Sequence, residues 1–461
     1  MFFAQYYLDC LSQASYLIAD ESTGRAVVVD PRRDVGEYLD EAAARGFTIE
    51  LVIETHFHAD FLSGHLELAR ATGAEIGYGE AAEADFDFRR LRDGERISLG
   101  DVTLEILATP GHTPESISVV VYEHAADAVP YGVLTGDSLF IGDVGRPDLL
   151  ASKGVTPDEL ARCLYDSVHT KLLTLPDATR VFPGHGAGSA CGKSLSTETQ
   201  STIGEQRRTN YALAPMSADD FVAAVTEGQS MPPGYFSYDA GLNRSRHDLL
   251  DEAEVPAPLD LDAVLKAQAE GAVVLDTRDA AVFAAGHLVG SLNVGFEGRF
   301  AEYVGAVVDP GAAIVLVSES GTERDAKVRL ARIGYDRVTG HLDDPVAALG
   351  SRPEATERSS RVTAVDLGAR LAAGEATTVV DVRNAAETAL GTIPGALTIP
   401  LNELRGRLGE IPAATATVVY CAGGYRSSAA ASVLGRAGLA DVSDLIGGYT
   451  AWAMADPALK A

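Results

Sequence analysis

Val273-Val274-Leu275-Asp276-Thr277-Arg278 returns as Thr378-Val379-Val380-Asp381-Val382-Arg383, and Gly286 and Gly290 return as Gly391 and Gly395, all at one offset of 105 residues. A repeat of this kind commits the chain to building one α/β unit twice, and it outweighs the propensity of any single segment. Each copy continues into an apolar strand (residues 313–317 and 417–420), a polar loop, and a helix ending at Arg332-Ile333-Gly334 or Arg436-Ala437-Gly438. The copies are read as domains over residues 258–350 and 361–461, linked by 351–360.

With 461 residues and roughly 150 per domain, one further domain is expected in front of the pair, over residues 1–212. Within it, residues 16–20 and 26–30 alternate around Ser22-Thr23-Gly24 like a hairpin, and 35–45 has helical spacing. Pro215, Met231-Pro232-Pro233-Gly234 and Glu254-Val255-Pro256-Ala257-Pro258 mark 213–257 as a connector of little periodicity. Acidic residues outnumber basic ones 66 to 37, and the net charge of −29 repels nucleic acid and anionic membranes. No apolar run reaches the ~18 residues of a membrane span, and MFFAQYYLDC lacks the basic start of a secretion signal. Cys10, Cys163, Cys191 and Cys421 form no CxxC pair, as expected of a reducing cytoplasm. The expected setting is therefore cytoplasmic, with small-molecule partners, no nucleic acid, no membrane, and self-association into a homo-oligomer.

The first domain carries metal-ligand chemistry. The apolar run 51–53 ends at Glu54 and Thr55, after which His56, His58 and Asp60 follow at every second position in a loop ahead of a helical HLELARATG pattern. Further donors arrive in Thr109-Pro110-Gly111-His112-Thr113, Thr135-Gly136-Asp137-Ser138 and Phe182-Pro183-Gly184-His185-Gly186, each at the end of an apolar run. Imidazole and carboxylate suit borderline divalent metals. This ordered set of HxHxD, PGHT, TGDS and PGHG resembles the metallo-β-lactamase superfamily over about the first 210 residues. The resemblance implies an αββα sandwich with the metal at one edge.

Dinuclear hydrolases of that superfamily, such as glyoxalase II, have HxHxDH, whose last histidine binds a second metal; here Phe61 takes its place. A mononuclear centre is expected, and the segment resembles the persulfide dioxygenases. That resemblance implies one Fe(II) per chain on His56, His112 and Asp137, with His58, Asp60 and His185 bracing the ligands. Arg146 and Asp148 of Gly142-Asp143-Val144-Gly145-Arg146-Pro147-Asp148 are expected to brace the site as well. Three protein ligands on one face leave room for a substrate sulfur and O₂. After His185 the chain has Gly-Ala-Gly-Ser-Ala-Cys-Gly-Lys, whereas single-domain dioxygenases have a tyrosine two residues on. The loop instead resembles fusions of a dioxygenase with two rhodanese domains. Cys191 is expected to be a second reactive thiol there, with backbone N–H groups and Lys193 favouring its thiolate.

In the last copy the strand leads into Cys421-Ala422-Gly423-Gly424-Tyr425-Arg426-Ser427-Ser428. Glycines in such a loop let successive N–H groups turn inward as an anion nest, and a helix from Ser427 adds its positive end. Residues 422–426 would thus hold the negative outer sulfur of a Cys421 persulfide. Phosphatase loops have one more residue between Cys and Arg, so the CxxxxR spacing favours sulfur over phosphate. The (V/L)DxR entry and the close at Gly447-Gly448-Tyr449-Thr450-Ala451-Trp452 resemble rhodanese domains. In the middle copy, alignment on the glycines sets Leu316 or Val317 at the cysteine position, so that copy is expected to be structural or to serve in docking.

The expected whole is a multidomain α/β enzyme of sulfide detoxification. It oxidises a small thiol persulfide with O₂ to sulfite, and it passes sulfane sulfur through Cys421 to or from thiosulfate. The alternative is a glyoxalase II-type thioesterase, in which metal-bound hydroxide attacks a thioester carbonyl. The thiol itself (glutathione, coenzyme A, bacillithiol or mycothiol) stays open.

Overall fold

A computed structural model describes residues 1–149, 154–229 and 231–455; the end of the last expected domain, 456–461, lies outside them. The chain divides into two compact units, one built from Met1–Pro232, Phe236–Glu252 and Arg332–Gly334, the other from Pro233–Tyr235, Ala253–Ala331 and Tyr335–Ala461.

In the first unit the expected hairpin forms. The Asp20 carboxylate accepts the Ser22 N–H at 2.8 Å, Gly24 takes φ 72°, and Gln13–Ala19 pairs antiparallel with Arg25–Val29. These strands join Phe2–Leu8, Thr48–Ile53, Glu75–Gly79 and Arg89–Leu91 in a six-stranded sheet. A second sheet of six runs Ser201–Thr202, Arg180–Pro183, Gly132–Gly136, Ile117–Tyr122, Thr103–Ala108, Arg96–Ser98. Strand alternation explains how the sheets pack. Tyr16, Ile18, Val27 and Ile53 meet Leu104, Ile106, Val119 and Phe182 between the sheets, while Leu17, Val28 and Val52 turn outward onto Tyr38, Ala42 and Leu68 of helices Gly36–Arg45 and His65–Thr72. The other sheet is covered by Pro157–Thr170, which starts from a Thr156–Glu159 capping box and buries Leu160, Leu164 and Val168 at helical spacing. The layers are α, β, β, α, as expected.

The stretch expected as an irregular connector is more ordered than its prolines suggest. Ser217 caps the helix Ala218–Thr226, whose Phe221 and Val225 are buried in the core under Pro157–Thr170, and Phe236–Leu242 forms another helix. The prolines flank these helices rather than interrupt them.

The second unit holds two five-stranded parallel sheets with one strand order. The first runs Pro258–Leu259, Val338–Leu342, Ile314–Val317, Val273–Asp276, Leu292–Asn293, and the second Ser360–Val362, Val442–Leu445, Ala416–Tyr420, Thr377–Asp381, Leu397–Thr398. The repeated DxR does the same work in both copies. Arg278 grips buried Asp276 and donates to the Gly286 carbonyl at 3.1 Å, and Arg383 grips Asp381 and donates to the Gly391 carbonyl at 2.7 Å. Each guanidinium thus ties the end of a central strand to the glycine turn that recurs with it. Strand register corrects one expectation. Asp276 pairs with Val317 as Asp381 pairs with Tyr420, so the counterpart of Cys421 is Ser318, not Leu316 or Val317. Glycine alignment slid because the loops between strand and glycine differ, whereas hydrogen-bonded register cannot slip without turning side chains to the other face. Residues 351–360 are likewise not a bare link, since Thr356–Glu357 pairs with His287–Leu288.

Candidate functional site

The metal candidates sit where strands of the first unit end. His56 follows Thr48–Ile53, His112 follows Thr103–Ala108, and Asp137 follows Gly132–Gly136. Their donor atoms lie within 4.8 Å of one another, with His56 Nε2 at 3.8 Å and His112 Nε2 at 3.6 Å from Asp137 Oδ2. The other ring nitrogens are committed. His56 Nδ1 donates to Thr55 Oγ1 at 3.0 Å, which itself donates to Asp30 at 2.9 Å, and His112 Nδ1 donates to the Arg146 carbonyl at 2.8 Å. Both Nε2 lone pairs therefore face Asp137 Oδ2. His56 Nε2 and Asp137 Oδ2 are buried without a hydrogen-bond partner. Buried polar atoms left bare in this way are what a cation would satisfy, and the donor set fits a divalent metal. Burial, with His58 close by, holds the His56 pKa well below the usual histidine range. Burial would raise Asp137, but His185, His56 and His112 outweigh it and keep the carboxyl well below the usual carboxylate range.

The bracing residues take different places. His185 spans Asp137 Oδ1 and Asp60 Oδ2, both at 2.8 Å, and so fixes the carboxylate from behind. His58 turns away from this face. Its Nε2 lies 3.2 Å from Asp30 and 3.3 Å from Glu54, its ring is 4.2 Å from that of Phe61, and although burial opposes the charge, the two carboxylates push its pKa up to about 10. Arg146 holds Asp148 through two bonds of 2.6 and 2.7 Å, donates to the Ala190 carbonyl at 3.2 Å, and lends its own carbonyl to His112.

Cys191 differs from expectation in its surroundings. It is buried within 4.8 Å of Asp60 and His185, and burial together with Asp60 and Asp137 pushes its thiol pKa well up. The Lys193 ammonium points elsewhere, to the Ala224 and Glu227 carbonyls and over the Tyr211 ring.

Asp30, Glu54 and Asn243 were not singled out from sequence. Asp30 ends a strand at φ 51° and takes the Thr55 N–H at 2.7 Å. Asn243, fully buried, donates to the carbonyls of His58 and Phe61, both at 2.8 Å, and accepts the Ser63 N–H at 2.9 Å. For Glu54 a signal existed, an acid closing an apolar run; for Asn243 there was none. Two glycines are required by close approach. A Cβ on Gly184 would lie 2.7 Å from Asp137 Oδ1, and one on Gly145 would lie 2.0 Å from the Asp137 carbonyl and 3.0 Å from His112 Nδ1. Gly145→Ala is expected to displace two of the three donors and lower metal affinity by about 10–100-fold, the usual effect of disturbing ligand support, as titration with a metal chelator would read.

In the second unit, Cys421 is buried at the end of Ala416–Tyr420. The Gly424 N–H donates to its Sγ at 3.1 Å, Gly424 takes φ 106°, and the helix Tyr425–Arg436 starts there, two residues before the Ser427 expected. Of the loop residues, Arg426 does not reach the sulfur; it forms a two-pronged pair with Glu387 at 2.7 and 2.6 Å. The Tyr425 hydroxyl donates to the Gly295 carbonyl of the other copy. The Tyr449 and Thr450 N–H groups hold the Cys421 and Ala422 carbonyls at 2.7 and 3.0 Å, which leaves Gly423 exposed at the rim.

The family described as the metallo-beta-lactamase superfamily matches residues 8–185, and the rhodanese-like domain matches 260–344 and 363–455. The Beta-lactamase hydrolase-like protein of Xylella fastidiosa (strain 9a5c) is 28% identical over 243 residues, 46% of this chain and 52% of that one, so the chain spans about half the length of that relative. The mitochondrial persulfide dioxygenase of Bos taurus is 30% identical over 215 residues, 46% of this chain and 75% of that one. The crystal structure of a metallo-beta-lactamase from Staphylococcus aureus subsp. aureus COL is 33% identical with a TM-score of 0.67, covering 74% of this chain and 98% of that one.

Proposed function

Since the chain belongs to the metallo-β-lactamase superfamily and carries two rhodanese-like domains behind that fold, we propose that it is a persulfide dioxygenase joined to a sulfurtransferase. The overall reaction at the metal face is RSSH + O₂ + H₂O → RSH + SO₃²⁻ + 2 H⁺. The observation that carries this reading is the three-donor face of His56, His112 and Asp137, on which His56 Nε2 and Asp137 Oδ2 are buried without a partner, while Phe61, packed against His58, stands at the sequence position where a second metal would need a donor. One ferrous ion bound there supplies the electron chemistry by which O₂ reacts with a sulfur anion. The protein residues orient and insulate. His185 and Asp60 hold Asp137, the Arg146 carbonyl and Thr55 fix the two imidazoles, and burial keeps bulk water away. Cys421 takes up a sulfane sulfur and returns it by Cys421–S–SH + SO₃²⁻ → Cys421–SH + S₂O₃²⁻, with the Gly424 N–H holding the thiolate that leaves. The thiol persulfide, O₂, sulfite and thiosulfate are the partners of this scheme. Among the described residues no helix is long and apolar enough to cross a membrane.

A second reading rests on Asp60, His185 and Cys191, which lie close enough to share a metal of their own. Two metals would favour hydrolysis of a thioester. Metal analysis with O₂ uptake separates the two: one iron and persulfide-dependent uptake, or two metals, thioester cleavage and no uptake.

Cys191 enters the dioxygenase scheme as a second thiol by its position, not its charge surroundings. Brief exposure to a persulfide donor is expected to add sulfur to Cys421 first, to Cys191 only later, and not to Cys10 or Cys163, as read by mass spectrometry over time. An unmodified Cys191, with unchanged product ratios in Cys191→Ser, would leave Cys421 as the only working thiol.

A further inference from the structure

Beside the metal face lies a second buried cluster that the proposed reaction does not use. Val29 pairs with Ile53 in the first sheet, so the residues that follow them, Asp30 and Glu54, leave the sheet side by side. His58 arrives four residues later, and the donor atoms of all three lie within 4.8 Å of one another. All three residues are buried, with His58 Nε2 at 3.2 Å from Asp30 Oδ1 and 3.3 Å from Glu54 Oε2. Neighbouring ligands of one ion held at about 2.1 Å are themselves roughly 3.0–3.4 Å apart, from octahedral to tetrahedral angles.

Hydrogen bonding does not account for the cluster. Neither nitrogen of His58 nor Glu54 Oε2 has a hydrogen-bond partner. The remaining oxygens are committed, since Asp30 Oδ2 accepts the Thr55 hydroxyl at 2.9 Å and Glu54 Oε1 accepts the Ser63 hydroxyl. Asp30 Oδ1 takes the Thr55 N–H at 2.7 Å and keeps a second lone pair. Among the described residues, neither Asp30 nor Glu54 has a lysine or arginine partner. An imidazolium supplies one charge against two carboxylates, and its Nε2 proton points at one oxygen at a time. A divalent cation offsets both carboxylates and is met by all three donors at once.

We propose that Asp30, Glu54 and His58 hold a second, non-catalytic divalent cation beside the metal face. Two carboxylates and one imidazole form a harder donor set than His56, His112 and Asp137, so the ion is of the harder class that includes Mn²⁺ and Mg²⁺. It replaces the His58 proton and takes no substrate, because the Phe61 ring packs on the His58 ring at 4.2 Å. Its effect on the metal face runs through Asp30, whose Oδ2 holds the Thr55 hydroxyl on which His56 Nδ1 rests. The count of one iron per chain is unchanged.

The probe is Mn²⁺. Full-length protein produced with iron and manganese should contain about one of each per chain by elemental analysis. Its crystals should show the anomalous signal of manganese between Asp30, Glu54 and His58. Glu54→Gln keeps the shape of the side chain and removes one charge, and it should weaken manganese binding by at least about tenfold while iron stays bound. Cys191→Ser should keep both ions, which separates this site from one on Asp60, His185 and Cys191. Asp137→Ala should lose iron and keep manganese, so an error in the iron assignment would show itself independently. Absence of manganese from the wild type, equal binding by Glu54→Gln, or an anomalous peak elsewhere would overturn the proposal. Should Glu54→Gln fail to fold, the anomalous map of the wild type decides alone.

Discussion

Asp137→Ala is expected to lose the metal and to reduce persulfide-dependent O₂ uptake by more than about a hundredfold, while sulfur transfer by Cys421 continues at the wild-type rate. The size follows from what the carboxylate does. Its Oδ2 is the point on which His56 and His112 converge, and its Oδ1 carries His185. Removing it deletes one donor and leaves His185 held by Asp60 alone. The wild type should hold about one iron per chain, and two zinc ions per chain with full activity would refute the assignment. His185→Ala keeps all three donors and should show the smaller loss, about 10–100-fold, typical of groups that orient a ligand. If the two substitutions failed equally, the three-donor face would not be the metal site.

Cys421→Ser should be the complementary variant. A hydroxyl cannot carry sulfane sulfur, so thiosulfate-dependent transfer should fall by at least about a thousandfold, as loss of a covalent nucleophile does. Sulfite formation from a small persulfide should persist, because no step at the metal face uses that sulfur. The loop itself should survive the change, since the Tyr449 and Thr450 N–H groups hold it through backbone carbonyls rather than through the thiol. A variant that lost both activities would mean that Cys421 feeds the metal site obligatorily.

Features set by local spacing could be read from the chain. The HxHxD segment and the three later donors each close an apolar run, and a strand end is where a rigid scaffold meets solvent-accessible backbone, so their convergence could be anticipated. The repeat likewise announced two sheets of one design. Features set by direction or by distant packing could not. His58 has the same spacing as a ligand, yet Asp30 and Glu54 draw it off the metal face, and Asp30 comes from another strand. Lys193 stands two residues from Cys191 but turns its charge to carbonyls on a neighbouring helix and turn. Ser318 emerged as the counterpart of Cys421 only once strand pairing replaced glycine alignment.

Asn243 has a consequence for how such a protein can be divided. Its side chain bonds the carbonyls of His58 and Phe61 and the N–H of Ser63, and so clamps both flanks of the loop on which Asp60 stands. A protease nick or gene truncation near residue 212 would sever that clamp along with the helices around it. A fragment of 1–212 should then be prone to aggregation and poor in metal, whereas one ending after Glu252 should stay monodisperse and loaded. The natural seam for exchanging this metal-binding module between fusion proteins lies after Glu252, 67 residues beyond His185 of the last conspicuous metal motif.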